Sequence, residues 1–239
     1  LVGHSNNSFG NVGAAVLPSL RRLCIQGVAS EALDPAVGCI SSLTELSLWE
    51  MPALLSLPDS ISRLSNLQSL HIRDAKSLEA LPEALGQLSG LTSINLAELE
   101  CLRMLPESLG QLKKLDFLSI TGCSKLTTLP ESFSSLCRLQ HCALNDSLQL
   151  SFLPEGFGNL SSLQSLDLSE LPNLRSLPDS FTQLRRLKRV QVHDCAQLAQ
   201  MPASLRDMPM LQRCKISACP LITSGYQLIF GRTYAEDVE

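Results

Sequence analysis

The sequence predicts an α/β repeat solenoid: a horseshoe with a parallel β-sheet on its concave side, turns or 3₁₀ segments on its convex side, and about nine 24-residue repeats. Three observations predict it. A Leu-Pro phrase returns with a constant 24-residue step at Leu57-Pro58, Leu81-Pro82, Leu105-Pro106, Leu129-Pro130, Leu153-Pro154, Leu177-Pro178 and, as Met-Pro, at Met201-Pro202. Four apolar positions with spacings of three, three and two recur in every unit, from Leu17, Leu20, Leu23 and Ile25 through Leu112, Leu115, Leu118 and Ile120 to Met208, Leu211, Cys214 and Ile216. The last two of each quartet alternate with polar residues, as in Phe117 to Thr121, which is the period of a strand with one buried face. A unit this short cannot bury its leucines alone, so successive units must stack.

The return leg is equally regular. Proline opens a short turn, and Ser108 with Gln111, and Ser180 with Gln183, have the spacing of a capping box. The apolar residue three positions after each proline (Ile61, Leu85, Leu109, Phe133, Phe157, Phe181, Leu205) is expected to form a second buried column on the convex side.

Composition narrows the functional class. A net charge of -4 argues against broad nucleic-acid affinity, which needs concentrated basic surface. No apolar run reaches the roughly 20 residues that span a bilayer, and no signal-peptide pattern opens the chain. No membrane or nucleic-acid partner is therefore expected. The nine cysteines form no CxxC pair and cannot all be bridged, which fits a reduced, cytoplasmic setting. Three glycosylation-type triplets, at Asn6, Asn145 and Asn159, point the other way, but about one or two would arise by chance in a serine-rich chain and they carry little weight.

The unit seen whole from Leu105 to Thr128 resembles the leucine-rich repeats of plant intracellular nucleotide-binding immune receptors, whose repeats end in Cys-x-x-Leu-x-x-Leu-Pro. Cys123 to Pro130 and Cys195 to Pro202 carry that ending. A second resemblance is to the repeat domain of effector ubiquitin ligases secreted by bacterial plant pathogens. Residues 17 to 224 share the pattern; the paired-cysteine caps and Gly-x-Ile-Pro phrase of extracellular plant receptors do not occur in it. Either resemblance implies a domain that recognises protein: the ligand-sensing or autoregulatory part of a receptor, or the substrate-recognition part of an effector. A stand-alone structural scaffold is the other class considered. At the position where many such repeats carry asparagine, this chain has Met51, Ala75, Leu99, Cys123, Ser147, Leu171, Cys195 and Cys219, so backbone or water must satisfy the neighbouring polar groups.

Side chains that alternate with the buried strand residues line the concave face. The candidate partner-binding residues there are Glu45, Trp49, His71, Arg73, Asn95, Phe117, His141, Asn145, Asp167, Arg189, Gln191, His193, Arg213 and Lys215. Trp49 and Phe117 are expected to be exposed anchors about 14 Å apart. Lys188, Arg189, Arg213 and Lys215 form a basic cluster suited to an acidic segment.

Acids fall on two stripes of six. Asp59, Glu83, Glu107, Glu131, Glu155 and Asp179 follow the prolines, where a carboxylate favours first-turn amides. Glu50, Asp74, Glu98, Asp146, Glu170 and Asp194 follow the strands. Adjacent members of this second stripe lie about 5 Å apart, a spacing that costs roughly 0.8 kcal/mol per pair even in water. This acidic edge is expected to meet a basic segment or a neighbouring domain of the same polypeptide, with turn chemistry as the alternative explanation.

No catalytic function is expected. His141, Asp167 and His193 lie on a diagonal of neighbouring strands, at about 7 to 8 Å, too far for a triad or metal shell. The sequence has no phosphate loop, HExxH or GxSxG, and no cofactor or metal motif. The expected organisation is a partial repeat or cap over 1–16, the repeat domain over 17–224 and a cap and tail over 225–239, acting as a monomer. Tyr226, Leu228, Ile229 and Phe230 are expected to cover the final unit, whereas residues 1–16 are small and weakly patterned, so the first end is expected to be incompletely capped and to abut another domain; a chain that starts at Leu1 reads as part of a longer protein.

Overall fold

The computed structural model describes residues 2–3, 18–202, 205 and 207–222. Residue 17 and the terminal segments expected to cap the stack lie outside the described residues. Ten parallel strands form one sheet in chain order. They are β1 (Val2–Gly3), β2 (Arg22–Gln26), β3 (Glu45–Trp49), β4 (Ser69–Arg73), β5 (Ser93–Ala97), β6 (Phe117–Thr121), β7 (His141–Asn145), β8 (Ser165–Asp167), β9 (Arg189–His193) and β10 (Arg213–Ser217). Strands β2 to β10 carry the nine apolar quartets; β1 adds a two-residue strand paired with Cys24 and Ile25.

The register follows from the 24-residue step: Leu70 pairs with Ile94, Leu118 with Cys142 and Val190 with Cys214. Like positions therefore stack into columns, and the leucine spine is buried from Leu23 to Leu198. Burial weakens towards the ends, where Leu20, Leu211, Cys214 and Ile216 are only partly covered. The fold is a leucine-rich-repeat solenoid.

Among the described residues seven 3₁₀ turns, from Pro35–Cys39 to Asp179–Gln183, lie on the convex side. The column three residues after the prolines is buried as expected, and within it Phe133, Phe157 and Phe181 stack, with centroids 5.9 and 6.5 Å apart and rings within 10° of parallel. Close approach of neighbouring turns needs glycine at Gly110 and Gly158, where a methyl group would strike the Ser132 and Ser180 carbonyls.

The expected capping boxes do not form. Proline itself is the residue before each of these turns, in extended conformation, with no side-chain cap. The serines instead reach the preceding repeat: Ser132 Oγ donates to the Glu107 carbonyl at 2.6 Å, and Ser180 Oγ to the Glu155 carbonyl. Ser108 Oγ is buried with no partner among the described residues. Two of the post-proline acids, Glu83 and Glu107, cap the turn of the next repeat instead. Glu83 accepts from the Glu107 and Ser108 amides at 3.0 and 2.9 Å, and these bonds hold its carboxyl below the usual range.

Phe157 touches rings on both sides, so its loss opens a cavity that no single neighbour fills. Phe157→Ala is expected to lower stability by about 3–5 kcal/mol, read from urea unfolding, whereas Phe117→Ala on the concave face should change it far less.

Candidate functional site

The strands place their odd-numbered or even-numbered residues in three concave rows, because register carries each position onto its equivalent in the next repeat. One row runs Glu45, Ser69, Ser93, Phe117, His141, Ser165, Arg189 and Arg213. The middle row holds His71, Asn95, Asp167, Gln191 and Lys215; the third holds Trp49, Arg73, Asn145 and His193. Trp49 and Phe117 are 42% and 38% exposed, large apolar side chains left in water on a face whose underside is fully buried. Arg73, His141, Arg189, Gln191, Arg213 and Lys215 are exposed, and Glu45, His71, Asn95, Asn145, Asp167 and His193 half-buried.

The first repeats form an open groove of about 470 Å³ lined by Gln26, Trp49, Glu50, His71, Arg73, Asp74, Asn95 and Ala97. Trp49 supplies its apolar wall. Arg73 lies across from Trp49 in register, its guanidinium Nε held 3.2 Å from Asp74 Oδ2. Glu45 is drawn instead towards Arg22, at 3.2 Å.

One strand departs from the pattern. Asp167 Oδ1 accepts the Ser169 amide at 3.1 Å and the Ser169 hydroxyl at 2.6 Å, and the Asn145 amide group also donates to this carboxylate. The side chain thus takes an amide that the ladder would use, and β8 ends at Asp167. Ser169, expected on the concave surface, is buried as a result.

The acids after the strands have a backbone property that the side-chain reading did not detect. Glu50, Asp74, Glu98, Asp146, Glu170 and Asp194 all have positive φ, between 51° and 58°, as does Ala218. Gly27 and Gly122 occupy the same repeat position with φ of 68° and 69°. From Gly27 to Asp194 the amide of each such residue donates to the carbonyl just before its counterpart in the next repeat, from Gly27 to Trp49 at 3.1 Å through Asp194 to Ser217 at 3.2 Å. The in-phase glycines were the available signal. Left-handed backbone favours Gly, Asp and Asn, so it accounts for the aspartates more readily than for Glu50, Glu98 and Glu170.

Asp167 and His193 bond to different partners, and no hydrogen bond joins them to His141 among the described residues. His193 meets Ser217 Oγ through Nδ1 at 2.9 Å and Asp194 Oδ2 through Nε2 at 3.0 Å. This is a serine–histidine–aspartate contact, but its histidine and aspartate side chains are half-exposed, unlike the water-excluded setting in which acyl transfer gains most from such groups. Among the described residues no group of three His, Cys, Asp or Glu is placed to hold a metal. Burial pushes the Cys123 and Cys195 thiols up to about 12 and Cys214 to about 11, which leaves them unreactive hydrophobes. The missing asparagines are replaced by backbone turns, such as the Leu102 amide on the Leu99 carbonyl at 3.0 Å, and by Cys195 Sγ on the Leu168 carbonyl at 3.0 Å.

Exposed apolar side chains also occur beyond the acidic edge, at Leu55, Met104, Leu148 and Phe152, the last with Arg175 over its ring at 5.9 Å. Each interrupts a position that is polar or small in most other repeats, which is the sequence signal for them. Among the described residues no helix is long and apolar enough to cross a membrane.

These features define a repeat scaffold with a varied sheet surface. The chain is similar to the leucine-rich repeat domain of the type III effector XopL, at 28% identity and a TM-score of 0.78, over 85% of this chain and 71% of that one. A leucine-rich-repeat protein of Leptospira interrogans also matches, at 19% identity and a TM-score of 0.29, over 87% of this chain and 80% of that one. No family model and no curated protein sequence matches the chain.

Gly27 isolates the cost of the left-handed turn, since nothing lies within 4 Å of an added Cβ. Gly27→Ala is expected to lower stability by about 1 kcal/mol through backbone strain alone. Thermal unfolding of this variant beside wild type checks it.

Proposed function

We propose that this chain is a non-enzymatic protein-recognition module whose concave sheet is the contact surface. The observation that carries the reading is the contrast within each strand: alternate positions are buried and almost all aliphatic, while the positions between them vary from tryptophan to arginine and, Ser47 and Ser169 excepted, stay accessible. A surface that varies on an invariant support is what extended recognition requires. Trp49 and Phe117 serve as anchors, because large apolar side chains exposed on a polar face gain most from burial by a partner.

The likeness to the repeat domain of a type III effector supports placing the module in a secreted effector, where it selects the protein acted on. The Cys-x-x-Leu-x-x-Leu-Pro endings support the other assignment, the ligand-sensing or autoregulatory part of a plant intracellular immune receptor. Both place the module in the host cytoplasm. The acidic edge is the second contact, for a basic segment of the partner or of a neighbouring domain; the three glutamates that backbone geometry does not favour are its strongest support.

The test is affinity for a partner selected from a displayed library with the wild-type domain. Trp49→Ala combined with Phe117→Ala is expected to weaken binding at least tenfold with unchanged thermal stability, and unchanged affinity would overturn the assignment to the concave face. Neutralising Asp146, Glu170 and Asp194 together is the parallel arm for the edge.

A further inference from the structure

The backbone restricts which residues follow the strands, but nothing in it calls for cations on β9 and β10. Arg185 and Arg186 lie on the loop that enters β9, Lys188 immediately before the strand, Arg189 on it, and Arg213 and Lys215 on β10. Register sets Arg189 directly beside Arg213, one strand spacing of about 4.8 Å away. Like charges in that arrangement destabilise a sheet. All but Lys188 are exposed, and among the described residues none of the six is in an ion pair; the four pairs there involve Arg22, Arg73, Lys76 and His193. Lys188 Nζ is the one tethered cation, 3.0 Å from Gln164 Oε1.

The same row continues from Arg213 and Arg189 through Ser165 and His141 to Phe117. Phe117 is three strand steps from Arg189 and four from Arg213, about 14 and 19 Å. An extended peptide covers those distances in roughly four to six residues. We infer that this row is a docking track for an extended acidic segment of a partner protein, with an apolar residue against Phe117 and His141 and carboxylates on Arg189, Arg213 and Lys215. The inference rests on the recognition reading above and narrows it to one chemistry. Guanidinium groups suit it, because they take carboxylates in a bidentate fork. The surroundings disfavour nucleic acid: Asp167, Glu170 and Asp194 border the cations, and a duplex with one charge per roughly 1.7 Å would run over them.

The probe is a fluorescein-labelled peptide with a leucine, three small polar residues and then four acids. Its companions are an amide version, with Asn and Gln for the acids, a version with serine for the leucine, and a single-stranded oligonucleotide of equal charge. Fluorescence anisotropy is expected to show binding of the acidic peptide that weakens at least tenfold with Arg189→Glu plus Arg213→Glu. The amide and serine versions should bind more weakly, and added salt should weaken the acidic peptide. Absence of peptide binding, equal binding by the amide peptide or by the charge-reversed protein, or tighter binding of the oligonucleotide would overturn the inference. Circular dichroism and the milder pair Arg189→Gln and Arg213→Gln separate lost contact from lost fold. A selected partner that depends on Trp49 yet binds the charge-reversed protein normally would sink this inference and leave the recognition reading standing.

Discussion

A parallel stack depends on one backbone constraint: after every strand the chain must turn sharply while its amide still reaches the neighbouring strand. The left-handed residues from Gly27 to Asp194 meet it, each sending its amide to the carbonyl just before its counterpart in the next unit. At the other end of the strand a single carbonyl, such as that of Thr44, accepts two amides, from Gln68 and Ser69. Between these fixed ends the register has no freedom, and a one-residue slip would turn every leucine out of the core. The leucine spine, the phenylalanine column and the three concave rows all inherit their alignment from this ladder.

Much of that was legible in the sequence because it depends on burial, and burial leaves a period. The quartets from Ile40 to Ile216, the Phe133–Phe157–Phe181 column and the accessible positions of Trp49 and Phe117 follow from spacing alone. What depends on hydrogen bonding was less legible. Ser108 and Gln111 have capping-box spacing, but extended proline starts the turn and the neighbouring repeat lies within reach, so Ser132, Ser180, Glu83 and Glu107 bond between repeats. Asp167 looked like an ordinary lining residue, yet its carboxylate captures the Ser169 amide and shortens β8. The acids after the strands are legible as a charge pattern, whereas their shared positive φ is marked only by Gly27 and Gly122 standing in phase with them.

The ladder also explains why function can vary without disturbing the fold. Backbone bonds and inward side chains supply the cohesion, so an outward residue contributes little to it. The two edges then diverge in charge. The strand-exit edge carries Glu50, Asp74, Glu98, Asp146, Glu170 and Asp194, while exposed Arg21, Arg63, Lys113, Lys114, Arg138, Arg185 and Arg186 lie on the entry side.

The central claim is that cohesion and recognition occupy different residues of the same strands. A protease-resistance scan of substitutions across residues 18–222 tests it most directly, because it reads stability at every position without requiring a partner. The account predicts that Trp49, Phe117, Arg189 and Arg213 tolerate polar replacements near wild-type stability, whereas Leu46, Leu118 and Val190 do not. Comparable losses at the concave and the inward positions would contradict it.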